Sequence, residues 1–393
     1  MYITKKIVFL HRKQIVKGVI MENPFALVPY VSKELFCDRE QETKTVLEYL
    51  LNGSNVTLIS PRRYGKTGLI YRVFDEVKQR NIDVNTCYVD IYATEKLEDF
   101  IKTFSEAVIA TLDKKRGAKA FLQFLGGLRP MLSYNPVTGN PELTMTFFSD
   151  YEKHHTLASI FEFLEKLDKK TIVAIDEFQQ VRKYDNNMEA LLRSYIQPLR
   201  NVQFIFCGSK KHLMAEMFTD ARSPFYESTR CLYLEKIDRE VYADFIVRMF
   251  RKGKKSISTE AINFILDWTK THTFYTQSLC NHVFLKSGKT IKLQNVLLSA
   301  QQILYENEQT FLQWRDLLTP LQWNYLKAEA KEQSVDKPFA SGLIQKYNIG
   351  TSANSNRMLE ALLDKELILA TSTETGVSYS VYNVFLSRWL EGQ

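Results

Sequence analysis

Cysteine is scarce and unpaired in this sequence. The five residues, Cys37, Cys87, Cys207, Cys231 and Cys280, show no C-x-x-C spacing and sit mostly inside apolar stretches. That pattern argues against a zinc ribbon or a disulfide framework and predicts reduced, buried thiols in a cytoplasmic protein. Histidine is also thin. No acid-plus-cysteine cluster surrounds the adjacent pair His154–His155, so polar surface is expected there. Long apolar runs are missing: none approaches the roughly 20 residues a membrane helix needs. A hydrophobic content of 45%, a charged content of 25% and a mean hydropathy of -0.24 describe a soluble globular chain. Its 393 residues suffice for two or three domains. Acids are absent from the first 20 residues, where Lys5, Lys6, Arg12, Lys13 and Lys17 supply five of the seven net positive charges. No apolar core followed by a cleavage signal accompanies them, which rejects a secretory peptide. Residues 1–21 are expected to be a basic extension, with a basic anchor as the functional alternative.

Glycine is missing at one informative position. Residues 56–77, VTLISPRRYGKTGLIYRVFDEV, run from a β-branched strand through a short loop into a segment with apolar residues at helical spacing. Strand, loop and helix around Gly65-Lys66-Thr67 form the context of a phosphate-binding loop, G-x-x-x-x-G-K-[ST], with Ser60 in place of its first glycine. The stretch Ser60, Pro61, Arg62, Arg63, Tyr64, Gly65, Lys66, Thr67 and Gly68 is expected to cradle phosphates at a helix N-terminus, through the backbone N–H groups of every residue but Pro61. Lys66 suits the β- and γ-phosphates, and the Thr67 hydroxyl suits Mg2+. A helix from Glu40 to about Leu51, with Asp38 as its expected cap, precedes this strand. Arg39 before it either reaches the base side of a nucleotide or pairs with Glu42.

The second signature is TIVAIDE, residues 171–177. Ile172, Val173, Ala174 and Ile175 read as a strand buried on both faces, and its carboxyl end is where ligands meet open α/β sheets. Asp176 is then the expected Mg2+ partner, and Glu177 the base or orienter of an attacking water. VQFIFCGS, residues 202–209, supplies another buried strand, whose polar end offers Ser209 to the γ-phosphate or the water; a plain turn role is the alternative. Arg222 and Arg230 flank ARSPFYESTR, residues 221–230, either as an arginine finger for a neighbouring subunit or as partners of Asp220 and Glu227. Residues 84–92 and 230–235 read as further strands, 97–124 as a long helical stretch, and 129–148 as an inserted hairpin around Pro136–Pro141.

Downstream the pattern is helical over 239–250, 258–270, 274–286 and 291–314, which predicts a lid bundle and a linker helix. Thr276-Gln277 offers either nucleotide contact or packing. Residues 321–390 then show three helices and two strands joined by Glu374-Thr375-Gly376, the rhythm of a winged helix. Its third helix presents Asn354, Ser355 and Arg357, which are able to touch phosphates or base edges. Seven Lys/Arg against eight Asp/Glu over 321–393 leave no basic stripe, so protein contact or docking within the chain competes with DNA.

These segments together resemble the archaeal-type AAA ATPase group, related to the STAND class and to origin-recognition ATPases, in its bacterial form. The resemblance covers roughly 22–390 and rests on NPF (23–25), FCDRE (36–40), SPRRYGKTGL (60–69), IVAIDEFQ (172–179), FCGS (206–209), SPFY (223–226) and YSVYNVFLSRWL (379–390). It implies an ASCE-type α/β P-loop core with strand order 5-1-4-3-2, a helical lid and a winged helix. It implies Lys66 and Thr67 as Walker A, Asp176 and Glu177 as Walker B, and Ser209 as sensor 1. Two departures stand out: 270–275, KTHTFY, lacks the usual Gly-x-Pro-like turn, and Glu227-Ser228 replaces a Gly-Arg pair. The expected domains are 1–21, the ATPase core 22–235, lid and linker 236–315, and winged helix 316–393. The expected activity is Mg2+-dependent ATP binding with slow hydrolysis, switching an unknown protein partner. The alternatives are an ATP-dependent DNA-binding protein of initiator, mobile-element or defence type, and a nucleotide-binding scaffold with little turnover. Nucleotide-dependent homo-oligomers fit the resemblance; no membrane partner is expected, since no apolar run reaches spanning length.

Overall fold

The computed structural model describes residues 14–16, 19–21, 23–112, 116–125, 131–185, 187–338, 340–373 and 376–393, with backbone alone for 14–16, 19–21, 116, 352–355 and 372–373. The five basic residues of the amino-terminal extension lie outside them. The chain forms two compact units, Val28–Lys236, and Ile237–Gln393 together with the segment up to Leu27.

The first unit is organised by burial on both faces of its central strands. Helix α1 (Glu40–Leu51) leads to β1 (Val56–Ile59), helix α2 (Lys66–Gln79) and β2 (Val84–Asp90). Helices α3 (Leu97–Thr111) and α4 (Arg116–Phe124) follow, then α5 (Asp150–Glu165) and β3 (Lys170–Asp176). Helix α6 (Met188–Ile196), β4 (Val202–Cys207), helix α7 (Lys211–Thr219) and β5 (Arg230–Tyr233) complete the unit. The strands pair in parallel in the order β5-β1-β4-β3-β2, the order implied by the resemblance. Alternation divides the apolar runs between two cores. Ile172, Ala174, Ile205 and Cys207 pack with Leu69, Ile70 and Val73 of α2, while Val173, Ile175, Phe204 and Phe206 pack with Phe100, Phe104 and Phe161 from the other side.

Three local expectations change. The helical stretch 97–124 divides into α3 and α4 because Leu112 takes an extended backbone that ends α3. Asp38 does not cap α1: Asp38 and Arg39 are both left-handed, which makes Arg39 the N-cap. The inserted hairpin is present, with Met131–Tyr134 antiparallel to Pro141–Thr144, and it is fastened to α3 by the Leu143 amide, which donates to Glu106 Oε1 at 2.7 Å.

The second unit holds helices α8 (Arg239–Lys252), α9 (Thr259–Trp268), α10 (Thr273–Lys286) and α11 (Leu293–Asp316). The winged helix follows as α12 (Pro320–Glu332), α13 (Ser341–Tyr347), α14 (Ser352–Asp364) and the antiparallel pair β6 (Ile368–Thr373) and β7 (Gly376–Val381). A last helix, α15 (Val384–Glu391), forms from the aromatic-rich carboxyl terminus. Lid and winged helix fall within one compact unit, in which α15 docks on α9. Arg388 donates to the Trp268 and Asp267 carbonyls at 2.9 and 3.0 Å, and the Trp268 and Phe385 rings lie 5.6 Å apart.

Asn23-Pro24-Phe25, expected to feed the ATPase core, belongs with this helical unit as well. Phe25 is buried against Phe250, 4.7 Å between ring centroids, and against Phe245 and Phe284. Asn23 and Asn281 exchange side chain-to-backbone hydrogen bonds across this contact: the Asn23 amide donates to the Asn281 carbonyl and the Asn281 amide to the Phe25 carbonyl. Phe25→Ala is therefore expected to destabilise the helical unit by about 3–5 kcal/mol, read from urea unfolding; a loss under about 1 kcal/mol would detach the segment from that core.

Candidate active site

The loop Ser60–Gly65 leaves the carboxyl end of β1 and turns into α2. Gly65 carries the left-handed bend, with φ of 94°, and Arg63 is left-handed too, with φ of 59°. Ser60 has no positive φ, so the missing first glycine costs no backbone strain. Gly68 is required for another reason: a Cβ there would stand 2.5 Å from the Pro29 carbonyl and 2.7 Å from the Phe36 ring. Lys66 is almost fully buried and folds back on its own loop, donating to the Ser60 and Pro61 carbonyls at 3.0 and 2.8 Å. Burial pulls its pKa below the ordinary lysine value, against the attraction of Cys207, Asp176 and Glu177.

Asp176, at the end of β3, is the convergence point. Its Oδ2 accepts from Thr67 Oγ1 at 2.6 Å and from the Tyr88 hydroxyl at 2.9 Å, and its Oδ1 accepts from Cys207 Sγ and the Glu177 amide, both at 2.9 Å. Burial first, then the Asp176 carboxylate, raises the Tyr88 pKa well above the ordinary tyrosine value, so the hydroxyl stays a donor. Asp90, paired with Asp176 across β2 and β3, has its pKa raised by desolvation and by the Asp176 and Glu177 charges, against the Tyr92 amide that donates to it. A hydroxyl and a carboxylate meeting at the mouth of a phosphate loop are hard oxygen donors of the kind Mg2+ uses beside substrate phosphates. Thr67 and Asp176 therefore fit that ion.

Glu177 is left-handed, with φ of 61°, and begins the short 3-10 turn Phe178–Lys183. Its Oε2 accepts from Ser209 Oγ at 2.7 Å, the Ser209 amide at 3.2 Å and Gln179 Nε2 at 2.6 Å. The chain thus brings together Ser60, Pro61, Gly65, Lys66, Thr67, Asp176, Glu177 and Ser209. Arg39 takes the pairing alternative, donating to Glu42 at 2.6 Å and to the Glu235 carbonyl. It lies near Tyr64, whose pKa burial and Glu235 push up to about 12 against the Arg39 charge. Arg222 is exposed and held by Asp220 at 2.8 Å, and Arg230 starts β5, at the sheet edge opposite the loop. Thr276 is fully buried and bonded to Thr269. Arg357 is exposed on α14; the side chains of Asn354 and Ser355 lie outside the described residues. Four cysteines are buried and Cys231 is half-buried, and none of the five forms a disulfide.

Tyr88, Cys207 and Gln179 were missed by sequence reasoning. The available signal was position: Cys207 ends β4, and Tyr88 lies two residues before the strand-end Asp90.

This geometry has a family. The model of the ATPase domain found predominantly in Archaea matches residues 36–272. The chain belongs to that family. A second model, "Probable winged helix domain", matches residues 309–392, and the two together describe an AAA+-type P-loop ATPase with a carboxyl-terminal winged helix. None of the curated proteins compared with the chain matches it. Among solved structures, the Walker-type ATPase of Pyrococcus abyssi is 19% identical, with a TM-score of 0.65 over 93% of this chain and 99% of that one. The Aeropyrum pernix ORC2 protein is 12% identical, with a TM-score of 0.55 over 94% and 96%. The ORC1 protein of the same organism, solved in complex with DNA, is 13% identical, with a TM-score of 0.50 over 94% and 96%. At these identities the likeness is one of fold. Among the described residues no helix is long and apolar enough to cross a membrane.

Because Tyr88 donates to Asp176 Oδ2, the oxygen that also accepts from Thr67, Tyr88→Phe is expected to raise the Mg2+ concentration that half-supports nucleotide binding by about tenfold or more. Titration of fluorescent ATP with Mg2+ checks this, and unchanged half-saturation would remove Tyr88 from the site.

Proposed function

We propose that this ATPase binds ATP with Mg2+, hydrolyses it slowly to ADP and phosphate, and uses the cycle to switch a winged helix that acts on duplex DNA, as an initiator or remodelling factor would. The observation that carries the reading is the meeting of Thr67 Oγ1 and Asp176 Oδ2 at 2.6 Å, with Lys66 and Glu177 on either side in sequence and chemistry. Loop amides and the α2 N-terminus receive the phosphates. Lys66 exchanges the Ser60 and Pro61 carbonyls for phosphate oxygens, gaining the charge partner that its burial demands. Thr67 and Asp176 would hold Mg2+, which when bound neutralises charge on the β- and γ-oxygens. Glu177 accepts the proton of the attacking water, with Ser209 fixing its carboxylate.

The DNA part rests on the fold shared with an ORC1 protein solved on DNA and on exposed Arg357 in the third helix of the winged domain. A protein partner is the second reading, favoured by the net charge of -1 over 321–393, from seven basic and eight acidic residues. Self-assembly driven by nucleotide, with Arg222 or Arg230 entering a neighbouring site, belongs to the same proposal and expects turnover per chain to rise with protein concentration.

ATP turnover by the pure protein tests the enzyme. Lys66→Ala is expected to abolish nucleotide binding and turnover, and Glu177→Gln to lower turnover by at least about 10²-fold while binding persists. Turnover unchanged in Glu177→Gln contradicts its role as base and favours the scaffold reading. For DNA, Arg357→Ala is expected to weaken duplex binding and reduce the salt slope by about one. Absence of salt-sensitive binding at low salt shifts the function to a protein partner.

A further inference from the structure

The residue pair Gln179 and Gly208 has no role in the reading above, and its geometry is unusual. Left-handed Glu177 turns the chain so that Gln180 N donates to the Glu177 carbonyl at 2.9 Å and Gln179 comes back beside the Glu177 side chain. The turn is anchored by Phe178, whose ring packs against Phe206, Phe218 and Phe225 at 4.5, 5.8 and 5.4 Å. Gln179 is buried, and its Nε2 donates to Glu177 Oε2 at 2.6 Å. Only the nitrogen of the amide can face a carboxylate, so Oε1 is turned the other way, where it is buried without a hydrogen-bond partner. It lies against Gly208: a Cβ at that position would stand 1.9 Å from it. Gly208 has an ordinary backbone, so the space for Gln179 is what demands glycine there. An orphaned acceptor lowers stability, and the donor it comes with points at the residue that activates water.

We infer that Gln179, seated against Gly208, is a positioning residue for hydrolysis: it fixes the Glu177 carboxylate by filling Oε2, so that Oε1 is the oxygen that takes the proton of the attacking water. This rests on the ATPase reading. Three donors converge on Oε2, two from Ser209 and one from Gln179. Ser209 alone leaves the carboxylate free to rotate about its last bond, and the third donor, from Gln179 on a separate turn of the chain, restricts that freedom.

Gln179→Leu keeps the volume and deletes both the donor and the orphaned acceptor. Expected is a fall in kcat of about 10- to 100-fold, with ATP affinity within about twofold of the parent and a melting temperature that does not fall. Gln179→Glu replaces the donor by a second carboxylate beside Glu177 and is expected to lower kcat at least as far as the Leu variant, with ATP affinity again within about twofold. Gly208→Ala is expected to expel Gln179 and match the Leu variant, and the double variant to lose no more than either single one. Parental kcat in Gln179→Leu, or a kcat loss matched by lost affinity or stability, overturns the inference while the ATPase reading stands. Absence of turnover in the parent protein overturns both.

Discussion

Everything in the first unit depends on how one buried carboxylate is accommodated. Asp176 ends β3, an inner strand of the sheet, and is itself buried, so an unpartnered charge there would be prohibitively costly. Four donors from four places in the chain satisfy it: Thr67 at the start of α2, Tyr88 on β2, Cys207 on β4, and the next amide. Two of these come from the strands flanking β3, so the sheet order is also the condition for the site. The Thr67 bond fastens the phosphate loop to the same point, and Lys66, pulled low in pKa by burial, waits on the carbonyls of its own loop.

From that point, contacts run outward through aromatic rings. Phe178 and Phe206 carry the turn after Glu177 and the strand before Ser209, and both pack against Phe225 of the SPFY segment, 5.4 and 5.7 Å away. The segment that bears Arg222 is thus built on the same four-ring cluster that supports the turn after Glu177 and the strand before Ser209. Close-packed rings transmit small displacements because a core has few alternative arrangements. In the helical unit the comparable joint is Arg388, which spans from α15 to the end of α9 and binds Glu391 on its own helix.

The parts legible in the sequence were those coded locally. A β-branched run into Gly65-Lys66-Thr67 and an apolar run into Asp176-Glu177 each signal strand, turn and ligand end within a dozen residues. The winged helix showed its three helices and its strand pair in the same way. Contacts set by register or long separation were not legible. Tyr88 and Cys207 become partners of Asp176 only once β2 and β4 are known to flank β3. Phe25 docks on α8 and α10, more than 200 residues away in the chain, while its sequence neighbourhood points toward the core that follows. Arg39 could be read as a nucleotide contact or as a partner of Glu42, and only the left-handed turn at 38–39 directs it to the latter. The charge count of the winged helix, by contrast, is fully visible in sequence and still sets the terms on which any DNA contact must operate.

The measurement that bears most directly on this account is ATP binding with and without Mg2+ by the parent protein and by Asp176→Asn. The account predicts that Mg2+ strengthens binding in the parent. In the variant that strengthening should be lost, while Mg2+-free binding through Lys66 and the loop amides is retained. A variant that keeps the full Mg2+ effect would contradict the placing of Asp176 at the centre of the site.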